Sequence, residues 1–174
     1  AFEILSDPST HLDAEIRADL CFSLAKAAGS LGMVGGQMFD LIAEGSDLQI
    51  NDISKLQKLK TGKLIVASCI AGAILGKSSV EERNILHSYG EKLGLVFQIT
   101  DDLLDVEGTL EVVGKTVRKD KASGKATFVS LLGIEKARQK AEILSEEAIS
   151  ELFPFGERAN QLKQLVRFII QRKY

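Results

Sequence analysis

Apolar residues recur every three or four positions along most of this chain. Leu12, Ile16, Leu20, Leu24 and Ala27 make one stripe, and Ile85, Leu86, Leu93, Val96, Phe97 and Leu104 make a second. Ala137, Ala141, Leu144, Ala148 and Leu152 make a third, and Leu162, Leu165, Phe168 and Ile169 a fourth. That is the period of an α-helix with one buried side, whereas the alternation of a half-buried strand is scarce. Proline stands only at positions 8 and 154. The pattern predicts an all-α helical bundle forming a single domain over residues 1–174.

Local signals set the boundaries. Residues 1–5 read as the last turns of a helix stopped by Ser6-Asp7-Pro8, because proline disfavours helix before it. With no initiator methionine, that start leads us to expect the later part of a longer chain. A helix is predicted from about residue 11 to 28, then a glycine-rich helical stretch ending near Gly45. A long helix is predicted from Asp52 to about Gly76, interrupted at Lys60-Thr61-Gly62. Ser79 followed by Glu82 is a capping box that starts the next helix. Residues 107–126 lose periodicity and read as a loop rich in glycine and lysine. A short helix begins at Thr127 and ends at Gly133. A longer one covers 134–152, Pro154-Phe155-Gly156 breaks it, and a last helix covers about 157–172, its terminal cations matching the helix dipole.

Glycines at 32, 35 and 36 each cost a helix about 1 kcal/mol against alanine. Like Gly90 and Gly94, they are expected where a neighbouring helix or a ligand comes very close.

Composition narrows the class. The 174 residues are enough for one real core, and 45% of them are hydrophobic. The net charge of −2 and the absence of a basic patch argue against nucleic acid as a partner. The longest apolar run, 64–76, is shorter than the roughly 20 residues a transmembrane helix needs. Cys21 and Cys69 lie in apolar helical stretches and read as reduced thiols, which suits a cytoplasmic setting.

The candidate chemistry centres on Phe97-Gln98-Ile99-Thr100-Asp101-Asp102-Leu103-Leu104-Asp105. Helical spacing puts Asp101, Asp102 and Asp105 on or near one face, with Gln98 extending it. Carboxylates so crowded repel one another, and a bound hard cation, Mg²⁺ or Ca²⁺, relieves this. The competing reading is an acidic face open to water. Lys60-Thr61-Gly62 offers an ammonium, a hydroxyl and a flexible point that suit a phosphate oxygen; the competing reading is a solvated kink. Gln37 and Asp40, three apart, are placed to orient a lysine, a threonine or a metal-bound water.

These segments, in order, resemble the C-terminal part of the trans-prenyl diphosphate synthases, the farnesyl and geranyl diphosphate synthase family. Gly36-Gln37 with Asp40 is similar to the family's Gly-Gln-x-x-Asp segment, and Lys60-Thr61-Gly62 to its Lys-Thr-Gly. Gln98 with Asp101-Asp102-Leu103-Leu104-Asp105 is similar to its second aspartate-rich motif. Gly114-Lys115, Asp120 and Gly124-Lys125 resemble the lysine-bearing loop that follows, and residues 169–173 resemble a bacterial farnesyl-type ending.

The resemblance implies the all-α prenyl synthase (terpenoid synthase) fold, and head-to-tail condensation of an allylic diphosphate with isopentenyl diphosphate. It implies Mg²⁺ held by Asp101 and Asp105, with Asp102 ligating or supporting it. It implies diphosphate bound by Lys60 and Lys115, with Lys125 a further contact. Thr61 and Gln98 would hydrogen-bond the diphosphate or face its carbocation partner. A homodimer is also implied.

The family's first aspartate-rich motif and its isopentenyl diphosphate-binding basic residues lie upstream, and neither stands in these 174 residues. The expectation is therefore that this chain holds about half an active site and is inactive alone. One rival is a non-catalytic partial homologue that binds and modulates a full-length prenyl synthase. Another is a terpenoid cyclase, which Lys-Thr-Gly and the Gly-Lys loop oppose. A ligand-free helical scaffold would leave the aspartates unexplained.

Overall fold

The computed structural model describes residues 1–112 and 126–172, with only the backbone of 108–112. The described residues outside turns are helical. The helices are α1 (Phe2–Ser6), α2 (Ala14–Ala28), α3 (Met33–Ile42), α4 (Ile50–Gln57), α5 (Lys63–Leu75), α6 (Val80–Val112), α7 (Phe128–Leu132), α8 (Ile134–Glu151) and α9 (Asn160–Gln171). A π-helical turn, Lys58–Gly62, joins α4 to α5, and a 3₁₀ segment, Phe153–Ala159, joins α8 to α9.

Helix α6, 33 residues long, is the axis of the bundle. Its start is the anticipated box: the Ser79 N–H donates to Glu82 Oε2 at 3.0 Å, and the Glu82 N–H to Ser79 Oγ at 3.2 Å. It also runs on to Val112, past residue 107, where the loss of periodicity predicts loop. A lone glycine at 108 costs only about 1 kcal/mol, and no proline intervenes. Two sides of α6 are buried. Leu95, Ile99 and Leu103, at successive i+4 positions, pack with Ile53 of α4, Phe128 and Val129 of α7, and Ala137 and Ala141 of α8. Tyr89, Leu93 and Val96 pack with Ala148 of α8, Leu152 just past its end, and Val166 and Ile169 of α9. Each large side chain buried this way stabilises the fold by about 1.5–3 kcal/mol.

A third side of α6 is made of glycine. A Cβ on Gly90 would lie 3.1 Å from Val66 Cα, and one on Gly94 would lie 2.9 Å from Gly62 Cα. Backbone therefore meets backbone where α6 crosses α5 and the π turn. On the other side of the turn, a Cβ on Gly36 would lie 2.3 Å from Lys60 N. The close approach anticipated at Gly36, Gly90 and Gly94 is thus to backbone, and it clamps Lys58–Gly62 between α3 and α6.

Two expected stripes shift. In α9 the buried residues are Val166 and Ile169, whereas Phe168 is 64% exposed and Leu165 also faces out. In α2, Leu20 and Ala27 are buried but Leu12, ahead of the helix, is exposed. Both helices carry apolar residues on more than one flank, and the neighbours cover only one of them. On α3, Val34, Met38 and Leu41 line up on an exposed apolar face, and Leu31 just ahead of the helix is exposed too. Both cysteines are unpaired and half-buried, and burial pushes the Cys69 thiol up to about 11. Among the described residues no helix is long and apolar enough to cross a membrane.

Candidate active site

The π turn is the first contributor. A π-helical turn carries one residue more than an α turn and re-aims the side chains around it. Here it turns Lys60 toward α3, where Nζ donates to Asp40 Oδ2 at 2.8 Å. Asp40 is the more buried partner, with 13% of its side chain exposed against 33% for Lys60. The carboxylate expected to orient a lysine does so. Thr61 faces α6, and its hydroxyl lies 3.4 Å from Gln98 Oε1 and 3.5 Å from Gln57 Oε1. A narrow cleft adjoins the turn, lined by Asp40, Leu48, Ile53, Leu56 and Gln57 among others.

Helix α6 supplies the rest. The three aspartates do not share one face, because successive helical residues project about 100° apart. Asp101 is half-exposed and Asp105 is exposed. Asp102 turns inward and is only 7% exposed. Its Oδ1 accepts from Gln98 Nε2 at 2.9 Å, and its Oδ2 accepts from the Phe128 N–H, also at 2.9 Å. Burial pushes the Asp102 carboxyl up to about 6; the two hydrogen bonds oppose that rise, and the Asp101 and Asp105 charges add to it. Thr61, Gln98, Asp102 and the first residue of α7 thus form one hydrogen-bonded line across three elements.

The chain's end also reaches this place, which local sequence does not foretell. Arg172, just past α9, pairs with Asp101 Oδ1 at 2.8 Å, and its guanidinium lies 4.4 Å from the centre of the Phe97 ring. Sequence position alone makes it a cation matching the helix dipole; its partner is instead 71 residues away in sequence. No local signal marks such a pair. Lys115 and Lys125 lie outside the described residues.

Among the described residues, no three histidine, cysteine, aspartate or glutamate side chains are gathered closely enough to enclose a metal ion. Mg²⁺ asks for less: it takes one or two carboxylates and fills its remaining positions with water and substrate phosphate. Asp101, half-exposed with one oxygen on Arg172, and Asp105, exposed and four residues further along the helix, offer hard oxygen donors that fit that requirement. Asp102 has both oxygens engaged.

Comparison with known proteins adds independent findings. The polyprenyl synthetase family matches residues 9–167. The farnesyl diphosphate synthase of Micrococcus luteus is 40% identical over 170 residues, covering 94% of this chain and 56% of that protein. The apo crystal structure of an FPP/GFPP synthase from Zymomonas mobilis is 44% identical, with a TM-score of 0.84 over 97% of this chain and 56% of that one. A geranyltransferase from Helicobacter pylori, solved with magnesium and isoprenyl diphosphate, is 34% identical, with a TM-score of 0.79 over 97% of this chain and 55% of that one. The chain thus spans little more than half the length of the relatives it matches.

Proposed function

Because this chain belongs to the polyprenyl synthetase family, we propose that it is the C-terminal, diphosphate-binding portion of an enzyme joining an allylic diphosphate head-to-tail to isopentenyl diphosphate. The observation that carries this reading is the clamp of Gly36 and Gly94 on the π turn, which holds Lys60 on Asp40 and sets Thr61 beside Gln98 on the aspartate-bearing helix.

In this reaction the allylic C–O bond breaks, its electron pair leaves with the diphosphate, and the carbon left behind is a cation. The isopentenyl double bond attacks that carbon, and loss of a proton restores neutrality. Lys60, held by Asp40, places a positive charge where the leaving group's negative charge grows. Fixed charges and dipoles of this kind act best where they need no reorganisation. Thr61 and Gln98 place oxygen atoms beside it, and a carbonyl oxygen is the favourable neighbour for a developing cation. Lys115 and Lys125 are proposed as further diphosphate contacts. Asp101 and Asp105 would hold Mg²⁺, which supplies electrostatic stabilisation of the leaving diphosphate when bound. Arg172 keeps Asp101 neutralised meanwhile.

The remaining half of the active site, with the first aspartate-rich motif, is proposed to lie in an upstream segment of the same enzyme. The exposed apolar face of Leu31, Val34, Met38 and Leu41 suits a covering element of that kind. A second copy of the chain is proposed as the dimer partner. The alternative, a partial homologue that only modulates a full-length synthase, is disfavoured because Lys60 is kept on Asp40 and Thr61 on Gln98, contacts that modulation alone does not need.

The test is a turnover assay with an allylic diphosphate, isopentenyl diphosphate and Mg²⁺. The complete enzyme, carrying the upstream half, is expected to form product, and the 174-residue chain alone is not. Substantial product from the chain alone would contradict the half-site assignment, and none from the complete enzyme would contradict the reaction.

A further inference from the structure

The carboxylate of Asp102 has no proton to give in its ionised form, so whatever approaches it must donate. The Gln98 atom 2.9 Å from Asp102 Oδ1 is therefore the amide nitrogen, and the Gln98 carbonyl oxygen is left facing the Thr61 hydroxyl at 3.4 Å. The other Asp102 oxygen is held by the Phe128 N–H, so the carboxylate is fixed from both sides and buried.

We propose that Asp102 is a positioning residue rather than a metal ligand: it sets the sense of the Gln98 amide, so that oxygen and not NH₂ is presented to Thr61 at the π turn. This rests on the prenyl-transfer reading above. The amide can sit either way round in nearly the same volume, but the two orientations differ in sign. The carbonyl end carries partial negative charge and favours a cation forming near the turn. The NH₂ end carries partial positive charge and opposes it. Asp101 and Asp102 thus differ in duty despite being adjacent: one faces solvent and Arg172, the other faces the core.

Asp102→Asn tests this directly. The new amide keeps its oxygen on the Phe128 N–H and turns its nitrogen to Gln98, which must then reverse. In the complete enzyme kcat is expected to fall about 100-fold, the scale of losing one preorganised polar group, while KM for both diphosphates changes little. The double variant Gln98→Glu with Asp102→Asn returns an oxygen to Thr61. One oxygen of the introduced carboxylate accepts from the introduced amide, and the other accepts from the threonine hydroxyl. This variant is expected to recover most of the lost rate. Mn²⁺ binding to the chain in the presence of inorganic pyrophosphate, followed by electron paramagnetic resonance, is expected to survive Asp102→Asn and to weaken in Asp101→Asn.

Equal weakening of Mn²⁺ binding by the two substitutions would overturn the proposal, and so would a double variant no faster than the single one. Should Asp102→Asn fail to fold, side-chain ¹⁵N spectra of the unsubstituted chain decide. Slow exchange of the Gln98 NH₂ protons supports the assignment, and exchange as fast as at exposed Gln161 overturns it. If the unsubstituted complete enzyme forms no product, the prenyl-transfer reading falls, while the Mn²⁺ and NMR results still decide what Asp102 holds.

Discussion

Replacing Lys60 by alanine is expected to lower kcat/KM of the complete enzyme about 100- to 1,000-fold, or roughly 2.7–4 kcal/mol of transition-state stabilisation. In the proposed reaction, negative charge grows on the leaving diphosphate as the allylic bond breaks. A cation held in place beforehand stabilises that charge more than it stabilises the bound substrate. Lys60 is so held, 2.8 Å from Asp40, on a turn wedged between two helices. Asp40→Asn leaves the ammonium present but held less firmly, so its loss should be smaller than that of Lys60→Ala. Steady-state kinetics on both variants, with circular dichroism to show retained helix, check the order. An Asp40→Asn enzyme slower than Lys60→Ala would mean that the carboxylate, and not the lysine, faces the reaction.

The second large effect is on the fold. Gly36→Val should destabilise the chain by about 1–3 kcal/mol, because overpacking a close contact forces backbone to shift. At this chain length each kcal/mol lowers the melting temperature by about 2–4 °C, so a fall of roughly 2–12 °C is expected. The first atom of the new side chain would stand 2.3 Å from the Lys60 backbone nitrogen, and backbone cannot rotate away as a side chain can. Gly72→Ala is the control. Nothing lies within 4 Å of the Cβ it would add, and alanine is the better helix former by about 1 kcal/mol, so its melting temperature should rise. Thermal unfolding of the two variants beside the unsubstituted chain is the measurement. A Gly36→Val chain as stable as the parent would mean that α3 does not clamp the π turn.

Much of this arrangement is legible in the sequence, for reasons that are local. Capping Ser79 and Glu82 are three apart and need no tertiary partner, so the start of α6 can be read directly. Glycines at 36, 90 and 94 have no local use in a helix interior, which leaves close approach as their explanation, and the backbone contacts bear it out. The Lys-Thr-Gly interruption is visible as a break, but its π-helical form is not. One extra residue in a turn leaves no compositional trace, yet it separates the directions of Lys60 and Thr61. The inward turn of Asp102 is hidden because it depends on the Phe128 N–H, 26 residues further along, arriving at the right place. Arg172 is hidden in the same way. Its partner Asp101 lies 71 residues earlier in the sequence, and a basic residue at a helix end has a sufficient local explanation that conceals the distant one. In α9 the period is right and the stripe holds in part: Leu162 and Ile169 meet α6 and α8 as expected, joined by Val166, while Leu165 and Phe168 turn out. Periodicity states that a helix has an apolar side, but with apolar residues on several flanks it does not state which flank the neighbours cover.

Asp101 is proposed to hold a divalent cation together with a diphosphate, and calorimetry addresses this without requiring turnover. Mg²⁺ titrated into the chain with inorganic pyrophosphate is expected to give saturable heat that disappears in Asp101→Ala. The same heat should persist in Glu107→Ala, whose carboxylate instead pairs with Arg138 on α8. Identical behaviour of the two variants would contradict the assignment of the site.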